Sequence, residues 1–349
     1  MVKKLSILFL LLSFVVKGQK WDTTSYAKYS NRFTLGMFYS YRQCDLTLDQ
    51  TIRKDTGKKS TINYFAQSAS VIGFDMSYDK FSLSFGIKSV PAENTGKIGQ
   101  TKTFNFGVSV GGTRWIWESY LRSFTGFYDK NTAKYDTTFK KSGVFTQFPN
   151  LTSSLFRSKF LIFRNNEHFA YRAPFGCSYR QLRTSASFIS GGSYSLFSSH
   201  GDSSIIPRQI RQFYDSSNIA HFKGIIVSGI TVYFGGSATL VIKKAFFVNL
   251  TFIVGPEFQG RQYQYVNSAY NIKKGFISYS GSGGFAMGFN FKKGYFAFAN
   301  TSDFNGYGKS KINLKSKYLS FCFMFGYRFY TNTPKFYQNF QNTKFYKIF

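Results

Sequence analysis

After residue 16 the chain holds no stretch of the roughly 20 consecutive apolar residues that a membrane-spanning helix requires, so a helical membrane protein is excluded. Acids are scarce, 15 Asp and Glu against 45 Lys and Arg, and they fall mostly in loop-like segments. Paired carboxylates for acid–base catalysis are therefore absent. The three cysteines, Cys44, Cys177 and Cys322, lie far apart with no C-x-x-C, which removes both a disulfide framework and a zinc site. The three histidines, His168, His200 and His221, share no metal-ligand spacing and form no H-E-x-x-H. Neither a metal nor a cofactor is expected. Disorder is excluded from the other side, because 44 Phe and 25 Tyr bring aromatics to 21% and disordered chains are poor in them.

What the chain does have is strict alternation. In Lys317–Tyr330 (KYLSFCFMFGYRFY), Leu319, Phe321, Phe323, Phe325, Tyr327 and Phe329 share one parity, against Ser320, Cys322, Met324, Gly326 and Arg328 on the other. Successive strand residues point to opposite faces, so this ribbon has one aromatic side and one small, partly polar side. The same period of two runs through RFTLGMFYSYR, through FSLSFGIK after Asp79-Lys80, through TFNFGVSVGG, and through the pairs of long runs joined by Lys243-Lys244 and Lys292-Lys293-Gly294. A mean hydropathy of only −0.21 fits interleaved, not massed, apolar residues.

The start reads as a secretory leader: Lys3 and Lys4, an apolar run from Leu5 to Val16, and a cleavage site ending at Gly18. Cutting there makes Gln19 the mature N-terminus. The leader carries three lysines and no acid, which leaves the mature chain at +27. In an exported protein that excess points to anionic lipids, lipopolysaccharide, glycans or small anions and away from nucleic acid.

Strands of ten or more residues exceed the five or six of ordinary sheets and match the about 9–11 needed to cross a bilayer at a tilt. Connections alternate between very short (DK, RNNE, KK, KKG) and long and charged, the layout of an outer-membrane barrel. The parity opposite the aromatics is Ser278, Ser280, Ser282, Gly284, Ala286, Gly288 and Asn290 in one run, which suits a barrel bore better than the wet face of a sandwich. The expectation is an all-β fold: one antiparallel transmembrane barrel, aromatic parity toward lipid. About thirteen segments read as strands, and an even number is required. The surplus lies at 114–128 or in one of the two segments flanking Gln181-Leu182-Arg183. Twelve strands are expected, with ten or fourteen the alternatives. The division is then leader 1–18, periplasmic approach 19–30, barrel 31–330 and tail 331–349.

Phe325-Gly326-Tyr327-Arg328-Phe329 resembles the closing signal read by outer-membrane assembly machinery, with Phe349 a second candidate. Over residues 26–330 the chain is similar to an uncharacterised family of Gram-negative outer-membrane proteins catalogued as a domain of unknown function. The resemblance rests on RFTLGMFYSYR, YDKFSLSFGIK, Gly126-Phe127-Tyr128 and above all RQLRTSASFISGGSYSLFSSHGDSSIIP, which includes Gln181, Arg183, Ser185, Asp202, Ser203, Ser204 and Pro207. Where the family has Lys-Ser-Ala-Gly-Ser, this chain has Arg183-Thr184-Ser185-Ala186-Ser187. The resemblance implies a barrel in the outer membrane and assigns no functional residue.

Five basic residues fall on the presumed inner parity: Arg42, Lys88, Arg172, Arg180 and Arg328, with Glu257 a rare inner acid. Low-dielectric walls would focus their charge and favour anions. His200 beside Asp202, Ser203 and Ser204 invites a lipid-hydrolase reading, but Asp-Ser-Ser before Pro207 is more simply a turn cluster. Gly281-Ser282-Gly283-Gly284 lacks the following helix of a phosphate loop and reads as strand glycines. The leading expectation is a non-enzymatic barrel, either a narrow channel or a scaffold for surface partners. The alternatives are a barrel lipid hydrolase, an accessory barrel of a secretion or attachment machine, and a secreted soluble β-sandwich.

Overall fold

The computed structural model describes residues 23–51, 59–88, 95–213, 220–266, 268–308, 312–343 and 346. The leader and Phe349 lie outside them. Twelve strands form one closed antiparallel ring. They are β2 (Arg32–Thr51), β3 (Lys59–Tyr78), β4 (Phe81–Lys88), β5 (Lys102–Gly111), β6 (Trp115–Asp129), β7 (Gln147–Phe163), β9 (Ser185–His200), β10 (Phe222–Ile242), β11 (Phe246–Tyr265), β12 (Ser268–Asn290), β13 (Gly294–Gly308) and β14 (Ile312–Tyr330). Each pairs with its neighbours in sequence, and β14 closes onto β2 from Tyr330↔Arg32 to Ile312↔Gln50. Two short strands, β1 (Tyr26–Lys28) and β8 (Tyr179–Gln181), pair with each other outside the ring.

Alternation sorts the two faces as the sequence implies. On β14 Phe321, Phe323, Phe325, Tyr327 and Phe329 are exposed, whereas Ser320, Met324 and Arg328 are buried. On β11 the exposed set is Leu250, Phe252, Val254 and Phe258, and the buried set is Asn249, Thr251, Glu257, Gln259 and Arg261. Leu319 to Phe329 covers ten residue steps, about 33 Å of strand, or about 25 Å of height at a tilt near 40°. That is the height of a hydrocarbon core seen by a barrel. Toward the end with the longer connections the outward parity turns polar, at Gln43, Asp45, Thr47 and Asp49 on β2 and at Lys317 and Lys315 on β14. Inside the wall, Gly73 lies beneath the Phe38 ring, where any Cβ would collide with it, and a Cβ at Gly86 would strike Val71 and press on the same ring.

Both ends of the described chain, residues 23–31 and 331–343, share one end of the ring with the tight turns, which in such barrels is the periplasmic end. At Lys243-Lys244 the Ala245 N–H donates to the Ile242 carbonyl at 3.2 Å, and the two lysines have φ of 49° and 56°. This is a type I′ turn, whose left-handed positions favour Asn-Gly. A side-chain-bearing residue costs about 1–2 kcal/mol at each.

The surplus segment is 167–180. Its aromatic alternation does not cross the membrane, because the chain between β7 and β9 folds across the periplasmic mouth with a helical turn at Arg172–Phe175. Pro174 has no N–H to give a ladder, and Phe169, Ala170 and Ala173 are buried there. Residues 115–129, the other suspect, are a full barrel strand. The wall is uneven, since β4 and β5 are short and β3 meets β6 directly beyond their tips, at Tyr64↔Asp129 and Phe65↔Tyr128.

Phe323→Lys, at mid-belt, is expected to cost about 2–4 kcal/mol, and Phe329→Lys, at the belt edge, about 0–1 kcal/mol. Urea unfolding in lipid vesicles measures both; equal costs would contradict a lipid-facing belt.

Candidate functional site

The interior of the barrel has three layers. The outermost is apolar. Residues 201–213 leave β9 and turn into the mouth, where Ile205 and Ile206 are almost fully buried. They join Leu46, Leu48, Ile62, Tyr64, Phe197 and Tyr307 from the surrounding walls in one cluster. The Tyr64 hydroxyl donates to the Ile205 carbonyl at 2.7 Å, and Ile205 N–H donates to the Phe222 carbonyl at 3.0 Å. Ser204 Oγ donates to the Ala220 carbonyl at 2.8 Å, and Arg211 Nε to the Ile206 carbonyl at 2.9 Å.

The middle layer is charged, in part ion-paired and in part hydrogen-bonded to neutral side chains. Arg122 contacts Asp303 directly and lies 3.9 Å from the centre of the Tyr318 ring. Lys159 Nζ is 3.2 Å from Glu118, and Arg157 donates to Asn305 Oδ1 at 2.6 Å. Glu257 accepts from Ser195 at 2.7 Å and from Gln259 at 2.8 Å, while Arg261 donates to Gln259 Oε1. Arg42 lies over the Phe38 ring at 5.4 Å and faces Asn105, whose amide is assigned with its oxygen toward the guanidinium. A cavity of about 350 Å³ remains here, lined among others by Phe38, Arg42, Arg122, Lys159, Tyr295 and Asp303.

The inner layer is the periplasmic floor. Arg172, in the helical turn and not on a strand, donates to the carbonyls of Lys80 at 2.8 Å and Gly111 at 2.9 Å and touches Ser82. Arg328 donates to the Phe291 carbonyl at 2.6 Å, to Asn290 Oδ1 at 2.7 Å and to the Cys177 carbonyl. Gln181 fastens the floor to the N-terminal segment: its Oε1 accepts from Ala170 N–H at 2.9 Å, and its Nε2 donates to the carbonyls of His168 and Ser25.

The five basic positions are thus dispersed. Arg42 faces the cavity, and Arg172 and Arg328 build the floor. Lys88 donates to the Thr101 carbonyl at 2.9 Å, at the outer tip of β4. Arg180 donates to the Lys244 carbonyl at 2.7 Å, in a periplasmic turn. Of the family-like motif, Gln181 and Ser185 belong to the floor, the latter near Asn165, and Arg183 is exposed beside it. Asp202 and Ser203 are exposed, whereas Ser204 and Pro207 are buried in the outer insertion. His200 is exposed with Nδ1 3.3 Å from Ser198 Oγ, and Ser204 donates its hydroxyl to the Ala220 carbonyl. Phe325, Tyr327 and Phe329 face outward around Gly326 and Arg328 at the periplasmic end of β14.

The tail folds back onto this end. From β14 it crosses β2 to the β3–β4 turn, where the Asp79 carboxylate accepts from the Tyr337 hydroxyl at 2.9 Å and from Tyr346. Lys28 lies 3.6 Å away, and Lys80 donates to the Tyr346 carbonyl at 2.8 Å. Burial, then the nearby Lys28, pull Lys80 down to about 8 against the opposing pull of Asp79.

A family model described as Domain of unknown function (DUF4421) matches residues 20–329. The chain belongs to that family. No curated protein matches the DUF4421 chain. Among solved structures it is similar to the outer-membrane protease OmpT of Escherichia coli, at 9% identity and a TM-score of 0.40, over 88% of this chain and 100% of that one. It is also similar to the toluene transporter TodX of Pseudomonas putida, at 6% identity and a TM-score of 0.28, over 89% and 98% of the two chains. The attachment invasion locus protein Ail of Yersinia pestis is similar at 7% identity and a TM-score of 0.23, over 86% and 100%.

Sequence reading missed Arg122, Arg157, Lys159, Arg261 and Asp303 as interior groups of the DUF4421 barrel. On β7 the parity of Arg157 and Lys159 also carries Leu151, Leu161 and Phe163, all buried inward. Both faces there look apolar, so parity alone names no inside. The signal was the register: β7 pairs with β6 at Trp117↔Phe160, which fixes the aromatic side outward.

Breaking the Arg122–Asp303 pair with Asp303→Asn should cost about 3–5 kcal/mol, because it strands a buried guanidinium, while Arg122→Met with Asp303→Leu should be near neutral. Urea midpoints in vesicles would separate the two; a neutral Asp303→Asn would contradict the pairing. A lysine held low releases its proton more readily in the docked tail than in a free one. Tail docking should therefore be weakest and level below about 8 and tighten as pH rises from about 8 toward the ordinary 10.5. Protection of the tail from proteolysis, relative to a free tail peptide, should be greater at pH 9.5 than at pH 7.5; the reverse order would contradict it.

Proposed function

We propose that this chain is a non-enzymatic barrel of the outer membrane, exported by its leader, that acts as a sealed scaffold for partners and not as an open channel. The observation carrying this reading is the apolar insertion of Ile205 and Ile206 into the outer mouth, over a floor bolted by Arg172 and Arg328. Full burial of one isoleucine contributes about 1.5–3 kcal/mol, more than a typical net hydrogen bond of about 0.5–1.5 kcal/mol. The insertion is held by packing. An ion pathway would need water where these side chains sit. Arg122 and Lys159 are matched by Asp303 and Glu118, whereas Arg42, Arg157 and Arg261 rest on amide oxygens, so packing and not charge balance carries the sealed reading. What remains for function is the scaffold: a rigid ring that displays its outer connections and its periplasmic face, as an accessory barrel of a surface machine would. The exposed, separated His200 and Ser203 favour the non-enzymatic reading over lipid hydrolysis.

The purified chain in a planar bilayer is expected to give no conductance steps, while a variant with residues 202–212 replaced by a short Gly-Ser linker and with Arg172→Ala and Arg328→Ala to loosen the floor should give them. Steps from the unaltered chain would overturn the sealed reading.

A further inference from the structure

At the periplasmic end the exposed charge is almost all of one sign. Arg164, Arg183, Lys243, Lys244, Lys292 and Lys293 are exposed, and none has an ion-pair partner among the described residues. Glu167 is the one exposed acid there among the described residues; Asp79 is buried under the tail. The cations follow the connections β7–β9, β10–β11 and β12–β13, an arc of consecutive neighbours in the ring. The tail covers a different arc, at the β3–β4 turn.

Two features say the lysines serve something other than the turn. Lys243 and Lys244 occupy both left-handed positions of a type I′ turn, where Asn-Gly would sit without strain. Strain kept where a better turn sequence is available points to a function for the side chains. Position names that function. Ile242, half exposed, immediately precedes Lys243, and Phe291, also half exposed, immediately precedes Lys292, with no polar spacer between. At the other end of the wall the outward parity passes through several polar positions first, Gln43 to Asp49 on β2. The ammonium groups therefore stand at the edge of the apolar belt, the height of lipid phosphates, where long cationic side chains reach the headgroups.

We infer that this arc binds the anionic headgroups of glycerophospholipids in the periplasmic leaflet and so fixes the barrel's depth and tilt. The inference rests on the membrane-embedded barrel of the preceding section, not on whether it conducts. A neutral, zwitterionic headgroup offers the same phosphate beside a competing cation, so binding discriminates by net headgroup charge.

The test uses the full mature chain folded in detergent micelles doped with phosphatidylglycerol or with phosphatidylcholine, and reads the temperature at which the compact, heat-modifiable gel band is lost. Phosphatidylglycerol should raise that temperature, phosphatidylcholine should not, and salt should erase the difference by screening. Replacing Lys243-Lys244 by Asn-Gly relaxes the turn, so the variant should melt higher in phosphatidylcholine yet lose most of its phosphatidylglycerol increment. A second variant, K292Q/K293Q, should lose part of the increment without the turn effect. If the Asn-Gly variant keeps its full phosphatidylglycerol increment, or if soluble polyglutamate gives the unaltered chain the same increment, lipid binding at this arc is overturned. A chain that forms no heat-modifiable band in any micelle would instead sink the membrane barrel itself.

Discussion

In hydrocarbon a backbone N–H or C=O has no water to fall back on, and the rest of this structure follows from that. A sheet with an edge would leave a row of such groups bare. The ring closes along the whole of β14 and β2, and the tail passes over the same seam to dock on the β3–β4 turn. Closure makes every strand two-sided, with one face for lipid and one for the bore. Period two in the sequence is the chemical record of that requirement.

A closed ring of twelve strands leaves an interior that must be filled by something. Here the chain fills it with its own side chains and two inward folds. The outer layer behaves like the core of a globular domain, with Phe197 stacked on Tyr307 at 4.0 Å beneath Ile205 and Ile206. Below it the buried ion pairs add little net stability, since desolvation offsets most of their attraction. They fill a polar volume together with Arg42, Arg157, Arg261 and Glu257, which rest on neutral side chains. The floor is held differently, by Arg172 and Arg328 donating to backbone carbonyls at the turns.

Much of this was legible in the residues. Phe321 to Phe329 against Ser320 to Arg328 pointed the aromatic parity toward lipid, because serine and glycine suit a barrel bore better than the wet face of a sandwich. The evenness of the ring also fixed that one candidate segment had to be surplus. Which one was not legible. Residues 167–180 carry aromatics as a strand does, and an apolar residue bears no mark of whether lipid or a neighbouring Phe will cover it. The interior network was hidden for a related reason. Arg122 and Asp303 lie 181 positions apart and meet across the bore, a contact set by ring geometry and not by local spacing. Arg172 and Arg180 share the spacing of a strand yet belong to the floor, where Pro174 and the helical turn break the period.

The central claim is that the aromatic parity touches acyl chains around a bore packed with protein. Trp117 tests it directly: it is 44% exposed on the outer face, and Trp115 shares its parity, its ring tilted against Phe160 at 5.3 Å. With Trp21 replaced by Phe, the remaining tryptophan fluorescence should come from these two outward rings alone. In vesicles of lipids brominated along the acyl chain, strong quenching is predicted, with little effect from aqueous iodide. Quenching by iodide and not by bromolipid would place the aromatic face in water, and would contradict the account.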